Sequence, residues 1–178
     1  NTPGGLGPRR TFGYDNLDIA ATINYLAVRN INSDRDHGAK NLYLYRDTEG
    51  SGEWQPVIWD VDLSHGRNWT WDKEYFDDAL VPTNGLTETQ SWDGQALYNL
   101  IYDSAELREM LTRRLRTLMD EILQPPGTTG GFIETRLREI AAAIDPDPAV
   151  STWTDGDLDA AKWGFDPNFF PNRPREEV

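Results

Sequence analysis

The sequence predicts an α+β fold in which one β-hairpin is set among several α-helices. Apolar residues recur at helical spacing in separate stretches of the chain, and two short aromatic and aliphatic runs alternate like strands. A segment rich in Gly and acidic residues, of the right length for a turn, joins those two runs. With 178 residues the chain can bury one sizeable core and hardly two. Residues 1–178 are therefore expected to form a single domain.

Composition narrows the partners. Hydrophobic residues make up 38% and aromatic residues 11%, with seven Trp, which together describe a folded protein with a wet, loop-rich surface. Thirty acidic against seventeen basic residues give a formal net charge of -13. Such a surface repels phosphate backbones, so no nucleic acid and no anionic membrane is expected as a partner; divalent cations and basic partners are favoured. The chain has no Cys, which excludes disulfides, thiolate zinc sites and Cys nucleophiles. No apolar run approaches the roughly 20 residues of a membrane span.

The elements follow in order. "NTPGGLGPRR" reads as a loop, and "FFPNRPREEV" stops without a clear element end, so the chain is expected to be a fragment of a longer one. "YDNLDIAATINYLAVRNI" predicts one amphipathic helix through Ile19, Ile23, Leu26 and Ala27, with Asp15 or Asn16 as its N-cap. A bend containing Asp34 and Asp36 follows. "NLYLYR" and "WQPVIW" predict two strands joined by "DTEGSGE", with Pro56 on an edge or at a strand start. From Asp60 to about Asp93 the pattern is irregular, a length that usually serves a function. "SWDGQALYNLIY" starts a helix, Ser104 sits at the N-cap of the next, and Leu107, Leu111, Leu115, Leu118 and Ile122 form its core stripe. Phe132, Ile133, Leu137, Ile140, Ala141 and Ile144 repeat the pattern until "DPDP" stops it, and the tail is expected to wrap the surface.

The chemistry sits at the hairpin. The bend before the first strand and the loop after the second emerge at one end of the ribbon, where adjacent strands lie about 4.8 Å apart. Asp34, Asp36 and Asn41 are thereby expected near Asp60 and Asp62. Carboxylates that close repel one another unless a divalent cation or nearby Arg and Lys compensates them. Carboxylate and amide oxygens suit Mg²⁺ or Mn²⁺ far better than zinc. For Asp36 alone, capping a turn is the weightier role. Asp60, framed by Val57, Ile58, Trp59 and Val61, is costly in an apolar frame unless paired or metal-bound, and Asp62 lies between these cases.

The stretch "NSDRDHGAKNLYLYRDTEGSGEWQPVIWDVDLSHG" resembles the centre of the CotH kinase family, the bacterial spore-coat kinases with secreted relatives. It has an N-x-D bend, a "KN" strand start with alternating aromatic and aliphatic residues, a turn, and "WDVD" before a Gly. The upstream "GYDNLDIAATINYLAVRNI" is similar to the helix before that bend, so the resemblance covers residues 12 to 66 well and the later helices loosely. It implies a protein-kinase-like C-terminal lobe that transfers phosphate from ATP with Mg²⁺ (or Mn²⁺) to a hydroxyl of a protein substrate. It implies Asp34 as the catalytic aspartate, Asp60 as the metal-binding acid with Asp62 beside it, and Asn41 as a second metal ligand. Asp36 stands five positions before Asn41, the spacing of ordinary kinase catalytic loops, so the base is open between Asp34 and Asp36. Lys40 touches phosphate or forms an ion pair. No Gly-rich strand pair or nucleotide-anchoring Lys precedes residue 12, so the remaining parts of the parent domain, an N-terminal lobe, are expected as partners, with poor ATP turnover by this chain alone. The same resemblance implies a secreted, cell-surface or spore-associated bacterial protein.

A non-catalytic exported module that binds carbohydrate or calcium is the alternative. Trp54, Trp59, Trp69 and Trp71 could stack on sugars, although core filling explains many such residues. "DGDLD", residues 155 to 159, imitates the start of a calcium loop but has Ala160 where the sharp-turn Gly belongs. His37 and His65 match no zinc spacing.

Overall fold

The computed structural model describes residues 6–32, 34, 41–61, 64, 96–125, 128, 130–147 and 153–163. Among them the order is α1 (Leu6–Asn16), α2 (Ile19–Ile31), β1 (Leu42–Arg46), β2 (Trp54–Ile58), α3 (Ala96–Asp103), α4 (Ala105–Glu121), α5 (Phe132–Ile144) and α6 (Asp155–Trp163). This is the α+β content expected, six helices and one antiparallel hairpin among the described residues. The chain divides into two compact units, residues 1–70 with 76–118 and residues 71–75 with 119–178, the boundary in α4 falling after Leu118.

In the first unit the single expected helix is two. α1 starts within the stretch expected to be loop; Pro8 fits there because it occupies the first turn, where no backbone N–H is needed. Leu17 breaks the helix and forms a parallel bridge with Trp54 of β2. The Asp18 N–H then donates to the Trp54 carbonyl at 2.9 Å. Asp18, not Asp15 or Asn16, is the N-cap of α2, its Oδ1 accepting from the Ala21 N–H at 2.8 Å. The break aims α2 along the hairpin. α2 buries Ile23, Leu26 and Ala27 as its pattern predicts, each large side chain contributing about 2–3 kcal/mol. Gly13 of α1 lies against Leu100 of α3; a Cβ there would stand 2.6 Å from Leu100 Cδ2, so any larger residue would force the Leu100 side chain to shift.

The hairpin has the register Leu42↔Ile58, Tyr43↔Val57, Leu44↔Pro56, Tyr45↔Gln55 and Arg46↔Trp54. Asp47 builds its turn: Oδ1 accepts from the Gly50 N–H at 2.9 Å, and the Asp47 carbonyl accepts from the Gly52 N–H at 2.8 Å. Gly52 supplies the positive φ of 73° that the turn needs. Tyr43, Leu44, Tyr45, Val57, Ile58, Trp59 and Val61 are exposed, contrary to the expected apolar frame. Alternation fixes which residues share a face; burial also requires a layer against that face. Tyr43 and Trp59 cover each other partly, edge to face at 5.5 Å.

α3 and α4 complete the first unit's core with Leu100, Ile101, Leu107, Leu111 and Leu118. Ser104 precedes α4 as expected, its carbonyl accepting from the Arg108 N–H, but its buried Oγ has no hydrogen-bond partner among the described residues. Three tyrosines are packed into this core. The Tyr25 and Tyr98 hydroxyls meet at 3.4 Å, and Asn30 Nδ2 donates to the Tyr102 hydroxyl at 3.4 Å. Burial raises the pKa of all three phenols, because the charged phenolate loses its water.

In the second unit α5 carries the expected stripe, yet Phe132, Leu137, Ile140 and Ile144 are exposed and Ala141 alone of the stripe is buried. The "DGDLD" segment is the start of α6 and not an ion-binding loop. Thr154 and Asp157 close a reciprocal cap: the Thr154 N–H donates to Asp157 Oδ2 at 3.0 Å and the Asp157 N–H donates to Thr154 Oγ1 at 3.1 Å. Buried Asp145, the C-cap of α5, lies 3.0 Å from Thr154 Oγ1, and Gly156 packs on it. Part of the tail expected to wrap the surface is thus a capped helix.

The tyrosines give a pH test. Their folded pKa values lie above the unfolded value of 10.0, so the folded state keeps these protons longer. The stability they contribute is complete below about pH 10 and is lost as pH rises through the folded values. In an alkaline titration, the phenolate absorbance of Tyr25, Tyr98 and Tyr102 is expected to appear together with loss of helical circular dichroism. A Tyr98→Phe variant should show a shallower loss of stability with pH over the same interval.

Candidate functional site

The site is organised from the last turn of α2. Tyr25 and Arg29, four residues apart, lie on its buried face. Arg29 is 1% exposed, an unusual place for a guanidinium. Its Nη1 donates to the carboxylate of Asp34, which is 6% exposed. The Asp34 N–H in turn donates to the Arg29 carbonyl at 3.0 Å, so the bend after α2 is anchored through backbone and side chain together. The Arg29 guanidinium carbon sits 5.0 Å from the Tyr25 ring centre, a cation–π contact on one face of the fork.

The other terminal nitrogen reaches the hairpin. Arg29 Nη2 donates to the Asn41 carbonyl at 2.9 Å and to the Trp59 carbonyl at 3.0 Å. Asn41 precedes β1 and Trp59 follows β2, one step beyond the Leu42↔Ile58 pair. One side chain therefore joins the helix end, the bend and both lips of the hairpin. At those lips Asn41 has φ 58° and Asp60 has φ 51°. Left-handed backbone costs an L residue roughly 1–2 kcal/mol, least for Asn and Asp, and persists where surrounding contacts hold it.

The structure brings three of the expected residues to this junction in different settings. Asp34 is buried against Arg29, Asn41 is half-buried, and Asp60 is exposed. The cation facing Asp34 is the protein's own Arg29. Asp36, Lys40 and Asp62 lie outside the described residues, as do His37, His65, Trp69 and Trp71. No group of three His, Cys, Asp or Glu side chains among the described residues could hold a metal. The donor chemistry at the lips, an amide oxygen and a carboxylate, still suits a hard cation with room for water and phosphate oxygens.

Sequence reasoning missed Arg29. The signal was present: Arg29 stands four residues after Tyr25, on the stripe that holds Ile23, Leu26 and Ala27. A cation on the apolar side of an amphipathic helix is costly to bury alone and therefore points to a carboxylate or to several carbonyls.

A family model described as CotH kinase protein matches residues 14–165. The chain belongs to the CotH kinase family. The matched span runs from the end of α1 through α6 and includes Arg29, the bend and the hairpin. No curated protein and no solved structure matches significantly. CotH membership gives the chain a kinase-related function. No helix among the described residues of this CotH protein is long and apolar enough to cross a membrane.

The Arg29–Asp34 pair should behave as one unit. Arg29→Met alone leaves a buried carboxylate unpaired and is expected to cost about 3–5 kcal/mol. Combining it with Asp34→Leu should recover part of that loss, giving a coupling energy of about 1–3 kcal/mol by chemical denaturation of the single and double variants. Simple additivity would show that the two charges do not depend on each other.

Proposed function

We propose that this chain supplies the catalytic and metal-binding acids of a CotH-type phosphotransferase that moves the γ-phosphoryl group of Mg-ATP to a hydroxyl of a protein substrate. One observation carries it: Arg29 draws the bend and both lips of the hairpin to a single junction, where Asn41 and Asp60 adopt the two non-glycine left-handed conformations among the described residues. In this scheme the chain is a kinase-like C-terminal lobe that works with further parts of its parent domain.

Asn41, Asp60 and Asp62 are the metal ligands in this proposal, and Lys40 contacts phosphate. A divalent ion held there supplies charge neutralisation across the β- and γ-phosphates. The base abstracts the acceptor hydroxyl proton while the acceptor oxygen bonds to the γ-phosphorus; the bond from that phosphorus to the β,γ-bridging oxygen breaks, and ADP leaves. The burial of Asp34 against Arg29 favours Asp36 as the base, because a carboxylate committed to a guanidinium and shut off from solvent is a poor acceptor for a protein hydroxyl's proton. Asp34 then serves catalysis by holding Arg29.

Substitution separates these roles. Asp60→Ala should abolish Mg-ATP binding by calorimetry. Asp36→Ala should keep that binding and lose transfer by roughly 100-fold or more. Intact nucleotide affinity in the Asp60 variant would sink the proposal. Full transfer in the Asp36 variant would return the base to Asp34.

A further inference from the structure

The two left-handed residues and the two carbonyls held by Arg29 are adjacent along the backbone. The Asn41 carbonyl belongs to the peptide that follows Asn41, so rotation about that residue's Cα–C bond swings the oxygen off Nη2. The Trp59 carbonyl belongs to the peptide that precedes Asp60, and rotation about the Asp60 N–Cα bond turns the Asp60 side chain relative to it. Each of the two bonds from Nη2 therefore fixes a peptide plane that one of the two left-handed residues shares, the plane after Asn41 and the plane before Asp60.

We infer that Arg29 is the positioning residue for the metal ligands: its fork, held by Asp34 and lying over Tyr25, fixes the peptide planes on the hairpin side of Asn41 and Asp60, and so keeps these two left-handed residues placed to hold one divalent cation. The cation rests on the function proposed above, whereas the backbone restraint does not. A charge partner for Asp34 alone would need only one nitrogen, which Lys could supply. The second terminal nitrogen, engaged with chain segments from both sides of the hairpin, is what a planar fork provides and an ammonium on a flexible stem does not. Arg29 thus acts through the ligands and touches neither substrate nor metal.

Arg29→Lys tests this in the intact protein by three measurements. Without metal, the Cα and Cβ chemical shifts of Asn41 and Asp60 should leave left-handed values in the variant while those of the strand residues Tyr43 and Val57 stay. Mn²⁺ affinity, read from water-proton relaxation, should weaken about 10–100-fold. In the transfer assay the KM for Mg²⁺ should rise by a similar factor with little change in kcat at saturating metal. A purely structural Arg29 would lower the melting temperature and leave metal affinity untouched. Left-handed shifts retained in the variant, or unchanged Mn²⁺ affinity after their loss, would overturn the inference. If the unsubstituted protein binds no Mn²⁺, the proposed function and the ligand role of Arg29 both fall, and the chemical-shift arm still decides the backbone restraint by itself. Should Arg29→Lys not fold, Arg29→Gln with Asp34→Asn leaves no buried charge and is read by the same measurements.

Discussion

A guanidinium removed from water must find acceptors for its donors, and in this chain that requirement falls on Arg29. The cost of burying it alone is several kcal/mol. The Asp34 carboxylate, two backbone carbonyls and an aromatic face offset that cost. Those partners come from the bend after α2, from the start of β1 and from the end of β2. Arg29 Nε is already buried without a hydrogen-bond partner among the described residues, and moving any one of the three oxygens away would leave a further donor unmet. The relative placement of helix end, bend and hairpin mouth is fixed by this accounting more than by apolar contact, since the hairpin's own side chains are largely exposed.

The elements around Arg29 make its burial possible. Leu17 interrupts the first helical stretch, and the Asp18 cap starts α2 where it meets Trp54 of β2. The last turn of α2 then arrives at the far end of the same strand. Beneath it the Tyr25–Tyr98 contact and the Asn30–Tyr102 hydrogen bond exclude water on the core side. The result is a polar junction set on an apolar floor, the situation in which hydrogen bonds to charge are strongest. At the lips, Asp60 stays exposed while its neighbour's carbonyl is held by Arg29.

Much of this was legible in the sequence. Apolar spacing located α2, α4 and α5, and the Gly- and acid-rich turn located the hairpin, because those signals are local. Caps and breaks were less legible: Asp15, Asn16 and Asp18 are all competent N-caps, and the choice was made by the bridge from Leu17 to Trp54, a contact across 37 positions of sequence. Periodicity also failed to say what is covered. The stripe of α5 and the faces of β1 and β2 show which side chains align, while their exposure depends on neighbours that spacing does not encode. At the site, the meeting of Asp34 with the hairpin ends was foreseen from strand geometry. Its agent was not, because an Arg in a helix is ordinarily read as solvent-facing.

Asp34 and Asp60 differ in their surroundings: the first is buried against a guanidinium and the second is exposed. Two carboxylates required to take up a cation and a proton cannot both be neutralised by the same internal guanidinium. In the proposed function, the negative charge of Asp34 is already committed to Arg29 and does not add to the repulsion that a metal would relieve at Asp60. The fixed internal pair then performs the holding, which must be permanent. In the proposed function the exposed lip is left to the groups that would bind and release with each turnover. In a chain of net charge -13 divalent cations are favoured over anions as partners, while the buried Arg29 holds the backbone at Asn41 and Trp59 through its own hydrogen bonds.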